Sequence, residues 1–136
     1  MKPAVFVDTD VVLDLLARRE PFHLHAARLF TLADRGVLKV CVSSLSFSNL
    51  HYILRKETSG KRAVEILKAF RKLVTILPVD DAIVAAALDS GFPDFEDAIQ
   101  YHAAMSARLT VLLTRNCRDY RKPAITVCTP EEYLAR

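Results

Sequence analysis

The sequence has few of the residues that mark several common classes of protein. Its 136 residues include three glycines, too few for a Gly-rich loop that binds phosphate. Its three cysteines (Cys41, Cys117 and Cys128) form no Cys-x-x-Cys pair, which favours reduced thiols in a cytoplasm. His23 and His25 have no partner at zinc-ligand spacing, so a zinc site is not expected.

Long apolar runs are also missing. The longest uncharged run, at 82–88, is far shorter than a membrane span, so no membrane association is expected. Asp8 and Asp10 interrupt the first apolar segment too early for a signal peptide. With 51% hydrophobic and 26% charged residues, the composition is typical of a globular protein, and the length predicts one domain over residues 1–136.

The net charge of +3 is modest, but the basic residues are grouped. One group surrounds Asp119 and comprises Arg115, Arg118, Arg121 and Lys122. Basic side chains beside an acidic pocket suit a polyanion, which predicts that this group binds phosphates. A second basic group, within residues 55–72, is more simply explained as the solvated face of a helix.

Short apolar runs alternate with helical patterns along the chain. The predicted strands are 5–7, 38–42, 75–79, 111–113 and 125–127. The predicted helices are 11–16, 21–36, 44–57, 62–73, 80–90, 94–108 and 130–134. Strands that alternate with helices indicate an α/β fold in which helices cover both faces of a parallel sheet of about five strands.

Acidic residues recur where a predicted strand ends or a helix begins. They are Asp8, Asp10, Asp94, Glu96, Asp97 and Asp119. Groups at the carboxyl ends of neighbouring parallel strands meet in one crevice of an open α/β sheet. Because carboxylates in one crevice repel each other unless a divalent cation binds them, the pattern predicts a Mg²⁺ or Mn²⁺ site and phosphoryl or phosphodiester chemistry.

Some of these acids have a simpler explanation as helix caps. Asp8 could cap the first helix, although Thr9 could serve as well, and the end of a central strand suits a metal ligand. Asp94 is the expected cap of its helix, which leaves Asp97 as the preferred ligand and Glu96 as its assistant. The pair Asp80-Asp81 is interpreted as capping alone.

Taken together, these motifs resemble the PIN-domain family. The matching segments are 6–13, 95–99, 113–116, 119–120 and 130–134. The resemblance implies a three-layer α/β/α domain and the activity of a metal-dependent ribonuclease, such as the VapC-like toxins of toxin–antitoxin pairs. It also implies an RNA substrate, a small antitoxin partner and a homodimer, for which the apolar stripes at 45–54 and 63–73 would supply surface.

In that family an acidic quartet binds Mg²⁺ or Mn²⁺ and activates water for RNA hydrolysis. The resemblance assigns Asp8, Asp97 and Asp119 to three of the four positions, with Thr114 and Asn116 beside them.

The second acid of the quartet is the point at which this sequence departs from the family. Asn49 stands where a Glu is usual, and it offers a carbonyl oxygen without the charge. Asp10 stands where the family often has Asn, so a compensating carboxylate is expected nearby, with Asp94 as a further supporting residue.

Two alternatives to an active ribonuclease follow from the sequence. Asn49 fits a catalytically inactive PIN domain that binds RNA or a protein. The segment Asp8-Thr9-Asp10 also mimics the nucleophile motif of haloacid-dehalogenase-like phosphatases, although Val11 and Val12 replace the small turn residues expected there.

Overall fold

The computed structural model describes residues 2–121 and 123–136, so the predicted RNA-binding residue Lys122 lies outside the described residues. The strands are β1 (Ala4–Val7), β2 (Lys39–Ser43), β3 (Thr75–Leu77), β4 (Val111–Leu113) and β5 (Thr126–Cys128). The helices are α1 (Thr9–Leu16), α2 (His23–Asp34), α3 (Ser44–Glu57), α4 (Gly60–Arg71), α5 (Asp81–Asp89), α6 (Phe95–Ser106) and α7 (Pro130–Leu134). A short 3₁₀ helix, Cys117–Asp119, follows β4.

The five strands form one sheet in the order β3-β2-β1-β4-β5, and every neighbouring pair is parallel. Successive residues of β1 point to opposite faces, as the pleat requires. Val5 and Val7 pack in a core with residues of α1 to α4, whereas Phe6 packs in a second core with residues of α5 and α6. Helices therefore cover both faces, which confirms the predicted three-layer α/β/α fold.

The structure moves several predicted boundaries by a few residues. Strand β3 ends at Leu77, because Pro78 has no N–H with which to continue the ladder. Helix α4 begins at Gly60 rather than at Arg62, since the side chain of Ser59 accepts a hydrogen bond from the Arg62 N–H at 3.1 Å. The 3₁₀ helix was not predicted.

The capping interactions separate the acidic residues into two kinds. The Asp80 carboxylate accepts from the Ile83 N–H at 3.0 Å, and the Asp94 carboxylate accepts from the Asp97 N–H at 3.0 Å, so both are helix caps as expected. Asp8 occupies the N-cap position of α1, but its side chain makes no capping hydrogen bond. Its carboxylate is therefore available for contacts other than capping.

The apolar stripes of α3 and α4 serve mainly the core of the chain itself. The residues buried there are Leu50, Leu54, Ala63, Leu67 and Phe70. The large apolar side chains left exposed on these helices, Tyr52 and Val64, are 54% and 42% accessible. The exposed apolar surface of α3 and α4, which was expected to support a dimer, is thus smaller than the apolar stripes of the sequence indicate. Within the described residues, no helix has the length and apolarity needed to cross a membrane.

Candidate metal centre

An acidic cleft of about 400 Å³ lies at the carboxyl edge of the sheet. Strand β1 has β2 on one side and β4 on the other, so the chain changes direction across the sheet at this strand, where α/β folds bind ligands. The lining residues are Asp8, Thr9, Asp10, Leu13, Asn49, Tyr52, Ile53, Asp94, Glu96, Asp97, Asn116 and Asp119. Six of them are acidic and none is basic, which makes the cleft strongly negative.

Asp8, at the end of β1, is held by three neutral hydrogen-bond donors. Its Oδ1 accepts from Gln100 Nε2 at 2.8 Å. Its Oδ2 accepts from the hydroxyls of Thr114, at 2.8 Å, and Tyr120, at 2.9 Å. Gln100 is also fixed, because its Oε1 accepts from the Thr9 N–H at 3.0 Å. The carboxylate is 4% exposed and keeps one defined orientation toward the cleft.

Asp97, from the first turn of α6, is an acid whose ionisation is costly in the metal-free cleft. Burial, followed by the nearby carboxylates, of which Asp8 contributes most and Asp119 is another, raises its pKa to about 7. The pKa of Glu96 is also raised, first by burial and then by Asp8. Asp119, on the 3₁₀ helix, is exposed at the rim.

Asn49, which replaces the expected Glu of the quartet, lies in the same cleft. Its Nδ2 donates a hydrogen bond to Oε2 of Glu96, so α3 and α6 meet at this point. Glu96 thus places a carboxylate beside the position at which the sequence lacks one. This carboxylate comes from α6, and its role as a compensating acid stays a prediction.

Asp10, in the first turn of α1, forms the side of the cleft next to β4. Its Oδ2 accepts from Asn116 Nδ2 at 3.0 Å and from the Arg115 N–H at 3.3 Å. Its Oδ1 is buried and has no hydrogen-bond partner in the described part of the chain. Burial and the charge of Asp8, opposed in part by Arg115, raise the pKa of Asp10 to about 7.

The three arginines that were predicted to bind phosphates beside Asp119 do not line the cleft. Arg115 Nε forms an ion pair with Oδ2 of Asp14 at 2.8 Å, and the Arg115 guanidinium lies 4.2 Å from the centre of the Phe22 ring. Arg118 is exposed to solvent. Arg121 lines a different cavity. Two of the predicted phosphate-binding residues, Arg115 and Arg121, therefore contact groups outside the cleft.

Three residues of this region were missed from the sequence. Gln100 and Tyr120 hold Asp8, and Asp14, which is 1% exposed, binds Arg115. Sequence spacing could have indicated Gln100 and Tyr120, because Gln100 is one helical turn beyond Asp97 and Tyr120 directly follows Asp119. A buried Asp14 could not be inferred without knowing that Arg115 lies beside α1.

The side chains of the cleft fit a hard divalent cation by their chemistry. Asp8, Asp97, Asp119, Glu96 and Asn49 offer only oxygen as ligand, as Mg²⁺ and Mn²⁺ prefer. Among the described residues, no three acidic, His or Cys side chains already enclose a metal position. Mg²⁺ usually retains several waters and needs only one or two carboxylates, so a cleft of this size suits a hydrated ion.

Comparison with known proteins places this geometry in a family. The model of the family described as PIN domain matches residues 4–118. DNA-bound VapBC from Salmonella typhimurium has a TM-score of 0.70 and 20% identity, over 93% of this chain and 97% of that chain.

Two further solved structures have the same fold. PAE2754 from Pyrobaculum aerophilum has a TM-score of 0.67 and 21% identity, over 98% of this chain and 88% of that chain. The Sarcin-Ricin loop cleaving toxin VapC20 from Mycobacterium tuberculosis has a TM-score of 0.63 and 19% identity, over 79% and 86%. No curated protein sequence matches the chain.

Replacing Asp97 by Asn should stabilise the metal-free protein at high pH. The folded-state pKa of Asp97 is about 7 and its ordinary value is 3.8, so ionisation opposes folding increasingly between these pH values. In EDTA, the free energy of unfolding of Asp97→Asn should match that of wild type near pH 4 and exceed it at pH 8 by about 1 kcal/mol or more, roughly the energy of one pKa unit. Urea unfolding at both pH values measures the difference.

The matched control for this measurement is Asp89→Asn. Asp89 is exposed at the end of α5 and does not line the cleft. Its replacement should give the same difference from wild type at both pH values. An Asp97→Asn difference that does not grow with pH would contradict the assigned electrostatics.

Proposed function

We propose that this chain, which belongs to the PIN domain family, is a divalent-metal-dependent endoribonuclease that hydrolyses RNA phosphodiester bonds. The observation that carries the proposal is the cleft, in which six acidic side chains and no basic one meet at the carboxyl edge of the sheet. Three of these acids, Asp10, Glu96 and Asp97, have raised pKa values, so the cleft favours a cation or protons.

In this proposal Asp8, Asp97 and Asp119 hold the metal ion, and Glu96 and Asn49 add oxygen atoms from α6 and α3. A bound divalent cation would lower the pKa of its water and offset the negative charge that develops on the phosphate. The contribution of the chain is orientation, because three hydrogen bonds fix Asp8 before any ligand enters.

RNA with exposed phosphates is the substrate class that suits this cleft. Single strands and loops can present one phosphate to a narrow acidic opening, whereas a regular duplex cannot splay its bases. The similarity in fold to a toxin that cleaves the Sarcin-Ricin loop supports the same substrate class.

The phosphatase alternative is not favoured, because the family match assigns the chain to the PIN domain family.

Asp97→Asn and Asp8→Asn should each remove most of the cleavage activity. Each substitution takes one negative charge from the proposed metal site, and we expect cleavage of a single-stranded RNA with Mn²⁺ to fall by about 100-fold or more, about 2.7 kcal/mol of barrier. Asp89→Asn is the matched control and should cleave at the wild-type rate. Both site variants cleaving at the wild-type rate, with EDTA controls inactive, would refute the assignment.

The pair formed by Asn49 and Glu96 allows a test in which the charge changes position. Glu96→Gln should weaken Mn²⁺ binding, because it removes a carboxylate from the cleft. Asn49→Glu in the Glu96→Gln background returns a carboxylate to the same contact from α3, and should restore most of the lost affinity. Calorimetric titration of the variants with Mn²⁺ measures the effect.

A double variant that binds Mn²⁺ no better than Glu96→Gln would show that this contact lies outside the metal site. Wild-type protein that binds RNA but no Mn²⁺ would instead favour the non-catalytic alternative. That alternative rests on Asn49, which adds no negative charge to the cleft.

We also propose that the enzyme is the toxin of a type II toxin–antitoxin pair, acting in the cytoplasm as a homodimer. Several proteins with this fold were solved as toxin–antitoxin complexes, from Salmonella typhimurium and Klebsiella pneumoniae among others. An apolar groove of about 620 Å³ between α1, α2 and α4 offers a surface for a partner helix. The free cysteines suit a reducing compartment.

Expression of the wild-type protein alone should arrest growth of a bacterial host, whereas Asp97→Asn at equal abundance should not. Co-expression of a small protein encoded beside this gene should restore growth.

Light scattering should show a dimer at tens of micromolar, that is, with a Kd below about that range. Equal growth with both proteins would contradict the role as a toxin, and a monomer would contradict the dimer.

A further inference from the structure

A second cavity, of about 520 Å³, adjoins the cleft through Tyr120. Its lining residues are Ser90, Phe92, Tyr101, His102 and Arg121. The hydroxyl of Tyr120 donates to Asp8 in the cleft, while its ring packs edge-on against Phe92 with ring centres 5.9 Å apart. Arg121, the next residue, lines the cavity, so one short segment contributes to both places.

The walls of this cavity are aromatic. The ring of Phe92 lies 5.3 Å from the ring of Tyr101 and 6.4 Å from that of His102, measured between ring centres. Arg121 adds an exposed guanidinium. Aromatic rings with an adjacent arginine are the combination on which proteins stack the bases of single-stranded nucleic acids.

One residue that lines the cavity also has a hydrogen-bond donor that the fold does not use. The hydroxyl oxygen of Tyr101 accepts from the Ala124 N–H at 2.7 Å, which leaves its own proton without an acceptor among the described residues.

We propose that this cavity binds a nucleobase of the RNA substrate, which packs on Phe92 and Arg121 and accepts a hydrogen bond from Tyr101. The inference rests on the proposed function, because it makes the cavity the base-recognition site of the same nuclease. A bare phosphate is a poorer occupant, since it would use Arg121 and leave the aromatic walls without a role.

The probe is the monophosphate of 2-aminopurine riboside, whose fluorescence is quenched when the base stacks. The chain contains no tryptophan to interfere with the signal. The experiment is done in EDTA, so that binding is measured without cleavage. We expect saturable quenching by the wild-type protein, competition by AMP, and no competition by ribose 5-phosphate.

Two variants locate the binding in this cavity. Phe92→Leu removes a stacking surface, and Arg121→Gln removes the exposed guanidinium with little risk to folding. Each should weaken binding by roughly 5- to 150-fold, the range that corresponds to the loss of one base–aromatic contact. Arg71→Gln, which alters an exposed arginine at the end of α4, is the matched control and should bind as wild type does.

Wild-type affinity in both cavity variants would overturn the inference. Ribose 5-phosphate that competes as well as AMP would also overturn it, because phosphate and not the base would then be bound. The proposed function is judged separately, by the cleavage rates of wild type and Asp97→Asn. Base binding in this cavity without any cleavage would therefore refute the nuclease and support the base site.

Discussion

The site depends on how the chain fixes one buried carboxylate, that of Asp8, with neutral groups. One donor comes from α6 and two come from the segment that follows β4, so α6 and this segment meet at the end of β1. Burying a charge is costly unless its hydrogen bonds are satisfied, and here they are satisfied without a basic partner. The negative charge is therefore retained in the cleft, where an arginine or lysine partner would have cancelled it.

Asp10 and Asp97 are bonded less completely, and their pKa values are raised. Burial comes first among the causes that raise the pKa of Asp10 and Asp97, and the charge of Asp8 comes second in each case. The charge of one well-bonded carboxylate thus adds to the effect of burial in making ionisation of its neighbours unfavourable. A divalent cation would relieve this repulsion, because it offsets several negative charges at once.

The strands, the order of the layers and the acidic edge could be predicted from short-range patterns. Val5 to Val7 is a short β-branched run that ends in Asp8, and this pattern predicts both a strand and its exit into a site. The contacts that orient the acids could not be predicted in this way. Gln100 lies on a helix and Tyr120 in a loop, and neither residue type marks a site until the packing of α6 against β1 is known. The Asn49–Glu96 contact likewise joins residues 47 positions apart.

The segment after β4 explains why none of the described basic residues lines the acidic cleft, although arginines surround Asp119 in the sequence. Thr114 and Tyr120 point to Asp8, whereas Arg115, next to Thr114, points to the buried Asp14 of α1. Arg121 lines the aromatic cavity. The alternation keeps Arg115 and Arg121 out of the lining of the acidic cleft, while Arg121 stays near it. Under the proposed function, an external cation would then bring a phosphate into the cleft, and the aromatic cavity would hold the base beside it.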